Sequence, residues 1–227
     1  MKMTWLGQAG LLLDNGKTKI MVDPYLSNSV VKVNPKNYRR IPVNEALFEI
    51  QPDVMIFTHD HLDHYDPETA PRFLAPERKP MTVLCPNSVW QKAKLCGGDH
   101  NYVQFDRHAQ WTEQGLRFRA VKAAHSDPFA IGVILEDLQE NRVYYITGDT
   151  LYSEEIFADL PDHIDVVFLP INGVGNNMNV TDAVRFFRDC GAKRAVPYHV
   201  GMFDTLTLEI FEAEGRILPE LYKEQEI

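Results

Sequence analysis

Apolar positions along this chain change their period several times, and each change marks an element. Met3–Leu6 and Gly10–Leu13 are short apolar runs, followed by Asn15-Gly16 and then Thr18–Asp23. Asn-Gly between apolar runs favours a tight turn with positive φ at both positions, so a β-hairpin is expected to open the fold. Pro24 ends its second strand. Residues 27–44 carry Ser, Asn, Pro, Lys and Arg without period and read as a long loop, a common place for a pocket rim. From Val54 strands and helices alternate: strand Val54–Thr58, a short helix Pro67–Leu74 capped by Asp66, and strand Thr82–Cys85. A helix capped by Asn87 or Ser88 and running to Leu95 follows, then strand Tyr102–Phe105. Leu116–Ala124, Ile131–Glu136 and Arg142–Thr147 read as consecutive strands, with Asn141 in a turn. The last third alternates again: strand Ile164–Leu169, helix Thr181–Cys190 capped by Thr181, strand Arg194–Tyr198, and helix Thr207–Glu214 stopped by Gly215. Tyr222–Ile227 is polar and reads as a loose tail.

This order is neither a strict βαβ repeat nor all-β. An α+β fold accommodates it, with two mixed sheets face to face and helices on both outer faces. With 227 residues, no low-complexity stretch and no linker, a single domain over 1–227 is expected. A net charge of −9 argues against a large phosphate-tracking surface, and so against long DNA or RNA as a partner. It leaves room for a small anionic substrate, because bound cations would dominate the field in a pocket. Cys85, Cys96 and Cys190 are odd in number and far apart, which reads as three reduced thiols in a cytoplasmic protein. No apolar run approaches the ~18 residues of a membrane span, and the N-terminus reads as a strand rather than a signal peptide. The composition is compatible with a homo-oligomer without specifying one.

The chemistry concentrates in His59-Asp60-His61-Leu62-Asp63-His64, directly after the apolar run Val54–Thr58. At this composition a His-x-His-x-Asp-His pattern arises by chance on the order of once in a thousand chains. Other metal-ligand types also follow strands at the same end: Asp23 after Ile20–Val22, His125 after Val121–Ala124, Asp149 after Val143–Thr147 and His199 after Arg194–Tyr198. Strand ends gathered on one edge are a common place to build a site on rigid elements. His100, His108 and His163 have no strand behind them and read as surface or packing histidines. The remaining seven residues suit two divalent ions. His59, His61 and His125 offer three nitrogens to one, in the manner of hydrolytic three-His zinc sites. Asp63, His64 and His199 serve the other, and Asp149 bridges the pair with its two oxygens. The all-nitrogen-and-oxygen set puts zinc first and also admits manganese or iron. Asp23 is placed behind the ligands, orienting a histidine. Asn172 and Asn176, in the amide-rich loop after Leu169, are candidate substrate contacts.

These residues resemble those of the metallo-β-lactamase superfamily: His59-x-His61-x-Asp63-His64 matches its hallmark run, and Asp23, His125, Asp149 and His199 match its other motifs in order. The resemblance implies an αββα sandwich with a di-metal site at one edge. Within the superfamily the chain is similar to the L-ascorbate-6-phosphate lactonase branch. That likeness is carried by Trp5-Leu6-Gly7, Gly148-Asp149-Thr150-x-Tyr152-Ser153, Asn172-Gly173-x-Gly175-Asn176 and Pro197-Tyr198-His199.

The expected function is therefore metal-dependent hydrolysis of a small anionic lactone or ester. A metal-bridging hydroxide would attack the carbonyl, and Asp63 would relay the proton to the leaving oxygen. The alternative keeps the site and takes a small or lipid phosphodiester. A third reading is a metal-binding protein without turnover.

Overall fold

The computed structural model describes residues 1–227. Thirteen strands run β1 Lys2–Gly7, β2 Gly10–Asp14, β3 Lys19–Val22, β4 Val54–Ile56, β5 Thr82–Cys85, β6 Asn101–Gln104, β7 Gln110–Glu113, β8 Leu116–Lys122, β9 Ile131–Asp137, β10 Arg142–Ile146, β11 Val166–Pro170, β12 Arg194–Tyr198 and β13 Glu224–Glu226. The α-helices are α1 Ala70–Phe73, α2 Asn87–Ala93 and α3 Val180–Asp189. One sheet has the order β13-β1-β2-β3-β4-β5-β6, the other β12-β11-β10-β9-β8-β7. Each is antiparallel on one side and parallel on the other, the change falling at β3 in the first and at β10 in the second. No helix is long and apolar enough to cross a membrane.

Alternation along the inner strands explains the layers. Ile20, Val22, Val54 and Ile56 join Phe118, Val133, Leu135 and Ile146 in the core between the sheets. Met21, Met55, Val83 and Cys85 point the other way, onto Phe73 of α1, Val89 of α2 and Leu47. A strand buried on both faces has no polar side, so β4 reads as one unbroken apolar run. On the second sheet α3 lays Ala183, Phe186 and Phe187 against the outer face, where Phe186 meets Tyr145 of β10. The expected two-sheet α+β sandwich is what forms, with short helices outside.

Several boundaries move. The first helix starts at Ala70, not Pro67: the Asp66 carboxylate accepts from Glu68 N at 3.1 Å and from the Thr69 hydroxyl, closing a turn instead of capping. Pro86 occupies the position before α2. Asn87 and Ser88, expected as caps, instead bond across to Asp106 (2.8 Å) and Asp127 (2.6 Å). Asn179 caps α3 by accepting from Asp182 N at 3.0 Å, two residues before the expected Thr181. The expected helix 207–214 reduces to a 3₁₀ turn at Leu208–Ile210. Phe211 is fully buried, and Arg216 Nη1 takes the carbonyls of Glu209 and Phe211 from outside, so tertiary packing overrides helical spacing. The tail is not loose: β13 pairs with β1, and Ile227 joins the core. The short half-exposed edge strand β7 had no signal strong enough to read.

Candidate metal centre

The two sheets bring their functional ends to one edge. Strands β3 and β4 are parallel, and β8 and β10 both run against β9 while β12 runs with β10. Asp23, His59, His125, Asp149 and His199 therefore all lie just beyond C-terminal strand ends. Backbone hydrogen bonds join the sheets here: Ile131 N donates to Thr58 O at 3.0 Å, and His199 N to Gln8 O at 3.0 Å. Gly148 sits at φ +60°, and a Cβ there would lie 2.8 Å from Ile131 O and 3.0 Å from Thr58 Cβ. Only glycine allows this approach. Gln8, Asp23, Asn176 and His199 also carry positive φ without being glycine, a concentration of backbone strain at the centre.

Two groups of three donors result. In His59, His61 and His125 the donor atoms all lie within 4.8 Å of one another. His61 Nδ1 and His125 Nε2 are 3.2 Å apart, and His59 Nε2 is buried without a hydrogen-bond partner. In Asp63, His64 and His199 the spread is also within 4.8 Å. His64 Nε2 lies 3.2 Å from His199 Nε2, and Asp63 Oδ2 lies 3.6 Å from His199 Nε2. Asp149 Oδ1 faces both imidazoles, at 3.1 Å from His199 Nε2 and 3.3 Å from His64 Nε2. His64 Nδ1 donates to Asp23 Oδ2 at 2.7 Å, which places its proton on that side and leaves Nε2 a lone pair toward the centre. Asp23 also accepts from Thr58 N at 2.8 Å and from the Thr58 hydroxyl. The third clustering, Asp23 with His59 and His64, is thus already tied together by hydrogen bonds.

Opposed imidazole nitrogens and buried acceptor atoms without donors call for cations between them. An unmade bond at a buried polar atom costs about 1–3 kcal/mol. Divalent ions held by nitrogen and oxygen would satisfy His59 Nε2, Asp149 Oδ1 and the facing ring nitrogens together, so the residues fit the metal chemistry. Electrostatics agree. Burial, with the charge of His64, holds the His59 imidazole well below its ordinary range. Burial would also lower His64, but Asp149, Asp23 and Asp63 outweigh it and raise it well above. Burial likewise opposes the Asp149 anion, yet His199 and His64 hold that carboxyl well below the usual range. The Asp149 carboxylate thus draws positive charge toward it, which a bound cation would supply in place of a proton on His64 Nε2.

Two of the sequence candidates have partners within the protein. Asp149 turns one oxygen, not two, to the imidazoles, because Oδ2 accepts from Asn177 Nδ2 at 2.8 Å. The Asn172 Nδ2 lies 3.0 Å from His199 Nδ1, and its Oδ1 accepts from Val174 N. Asn176 meets His125 through its backbone carbonyl, 3.2 Å from Nδ1. Gln8 was missed. Its amide donates to Asp63 Oδ2 at 2.8 Å while its carbonyl also accepts from Trp5 Nε1 at 2.9 Å. A lone polar residue between Gly7 and Ala9-Gly10, inside an apolar stretch, was the available signal.

A family model for the beta-lactamase superfamily domain matches residues 18–200, which include every residue of the two donor groups. The chain belongs to this family. Among its curated relatives, a UPF0173 protein of Pyrococcus furiosus is 27% identical over 216 residues, covering 94% of this chain and 90% of that one. A UPF0173 metal-dependent hydrolase of Thermoplasma acidophilum is 27% identical over 244 residues, covering 100% and 99%. Among solved structures, a possible metal-dependent hydrolase of Veillonella parvula has a TM-score of 0.79 at 16% identity, with 100% and 99% coverage. A novel metallo hydrolase of Ignicoccus hospitalis has a TM-score of 0.70 at 18% identity, with 100% and 98% coverage. These two likenesses are of fold, and the family model gives that fold its name. As in any sandwich with a site at its edge, access is set by the loops. Here a cavity of about 610 Å³ shares His125 and Asn176 with the centre.

Proposed function

We propose that this chain is a metal-dependent hydrolase that cleaves a small ester or lactone at two divalent ions, zinc first among the candidates. One observation carries the reading: two three-donor groups face one another beside Asp149 Oδ1, with a cavity opening onto His125. His59, His61 and His125 would hold one ion, and Asp63, His64 and His199 the other, with Asp149 Oδ1 between His64 and His199. Such ions lower the pKa of water and polarise a carbonyl oxygen. The chain's own groups do the rest. Asp23 fixes the ring of His64 from behind, and Asn172 packs its amide beside the ring of His199. The Asp63 carboxylate, steadied by Gln8, takes the proton released when water adds to the acyl carbon and returns it to the leaving oxygen. Water is consumed, the acyl C–O bond breaks, and an acid and an alcohol result; a lactone gives one hydroxy acid.

Purified protein should contain zinc, manganese or iron by elemental analysis and hydrolyse members of a lactone and ester panel. His61→Ala and Asp149→Ala should each lower metal content and reduce turnover by at least about a hundredfold. Unchanged turnover in either variant would overturn the reading. Preference for bis-p-nitrophenyl phosphate over every carboxylic ester would move the substrate to phosphodiesters.

A further inference from the structure

The cavity beside His125 has a direction. Its floor is the extended segment from Lys122 to His125, pinned by Ala124 N donating to Thr150 Oγ1 (2.8 Å) and Leu151 N donating to Ala124 O (2.9 Å). Three residue steps separate the two ends, about 10 Å in an extended chain. His125 and the metal centre stand at one end. At the other, Arg107 is held edge-on by Asp159, with Nε to Oδ2 at 2.7 Å and Nη2 to Oδ1 at 2.9 Å. Asp159 is buried and also accepts from Lys122 N, so it is rigidly placed. That grip uses one edge of the guanidinium and leaves Nη1 without a protein partner, on a side chain 42% exposed.

The other charges along the cavity are committed. Lys122 pairs with Glu155. Asp106 accepts from Asn87 N and from the Gln104 amide. Asp127 accepts from Ser88 Oγ, Asp60 N and Phe129 N. Between the two ends the walls offer Phe129 and Leu151, 44% and 40% exposed, an apolar stretch between two polar ends.

We propose that this cavity is the specificity pocket, and that its substrates carry a terminal anionic group, such as a carboxylate, joined to the scissile bond by a short apolar spacer. Arg107 Nη1 receives the anion, Phe129 and Leu151 cover the spacer, and the scissile bond lies at the metal centre. The proposal rests on the hydrolase reading for the last point only. A preformed guanidinium, already oriented by a buried carboxylate, loses little entropy on binding an anion and rejects neutral analogues that leave it unpaired.

The test uses the zinc-loaded protein and a matched pair of probes, adipamic acid and adipamide, which differ only in the terminal carboxylate. By calorimetry the acid should bind at least about tenfold more tightly, as a charge-assisted contact requires. The ratio should fall to about one in Arg107→Met and be partly retained in Arg107→Lys. Arg107→Met leaves Asp159 buried and unpaired; if it fails to fold, Arg107→Met with Asp159→Asn removes the stranded charge and carries the same expectation. Equal binding of acid and amide in the native protein would overturn the proposal. So would a preference that survives Arg107→Met, because the carboxylate would then be sitting on the metal. Turnover of p-nitrophenyl hexanoate and mono-p-nitrophenyl adipate separates the two readings. Arg107-dependent binding with neither ester cleaved sinks the hydrolase and keeps the anion anchor. Cleavage of both at equal kcat/KM does the reverse.

Discussion

Gln8 shows how much one residue can carry when its backbone is strained and both its carbonyl and its side-chain amide are engaged. At φ +50° it turns the chain between β1 and β2, its carbonyl fixes the His199 backbone, and its amide fixes Asp63. Both of those residues belong to the same three-donor group. Gln8→Ala should therefore weaken one metal equivalent and spare the other. Cobalt titration followed by visible absorption should show biphasic binding, with the weaker phase shifted by about tenfold, a usual effect for groups that orient ligands. Parallel loss of both phases would assign Gln8 a general structural role. The ligand residues themselves were legible in the sequence because each follows an apolar run and breaks it with an imidazole or carboxylate. Gln8 was not, because a single glutamine in a glycine turn has many ordinary explanations. Nor could the sequence tell that Asn177 takes one oxygen of Asp149, since the contact spans 28 positions.

At the scale of elements, the strand ends are held by close backbone approach. Gly148 lies just past β10 where no side chain fits, so Gly148→Ala should destabilise the protein by about 2 kcal/mol, through strain at positive φ and the clash with Ile131 O. Urea unfolding would measure it. The turn Glu154–Asp159 is fastened to β8 through Asp159. Hydrogen bonds from Arg107, helped by Lys122 N against the opposing effect of burial, hold that carboxyl below its ordinary value. A depressed carboxylate stabilises the fold fully above the ordinary carboxylate range, near pH 4, and the contribution disappears as pH falls through the folded value. The stability gap between wild type and Asp159→Asn should thus be constant from pH 7 to about 5 and close progressively below about 4. A gap independent of pH would show that the Asp159 charge is not what fastens the turn. Strands with buried faces were readable because their pattern is imposed by the core. Helix caps and the segment 207–214 were not, since Asn179 and Phe211 take their places from contacts remote in sequence.

For the whole molecule, the sandwich could be foreseen from the switching of period, and the pairing order of the strands could not. Nothing local tells β13 to add to β1, or β7 to close the far edge. Because the donors come from both sheets, ions bound among them stabilise only the docked arrangement. Chelation should lower the melting temperature by several degrees, and zinc should restore it, the expected linkage for a ligand that binds only the folded state. No change on chelation would argue against bound metal as a structural tie. The bonds from Ile131 N to Thr58 O and from His199 N to Gln8 O have a separate consequence. Each amide proton is shielded only while the sheets stay together. Their deuterium exchange rates therefore gauge how often the sandwich opens along its functional edge, residue by residue and without any substrate in hand.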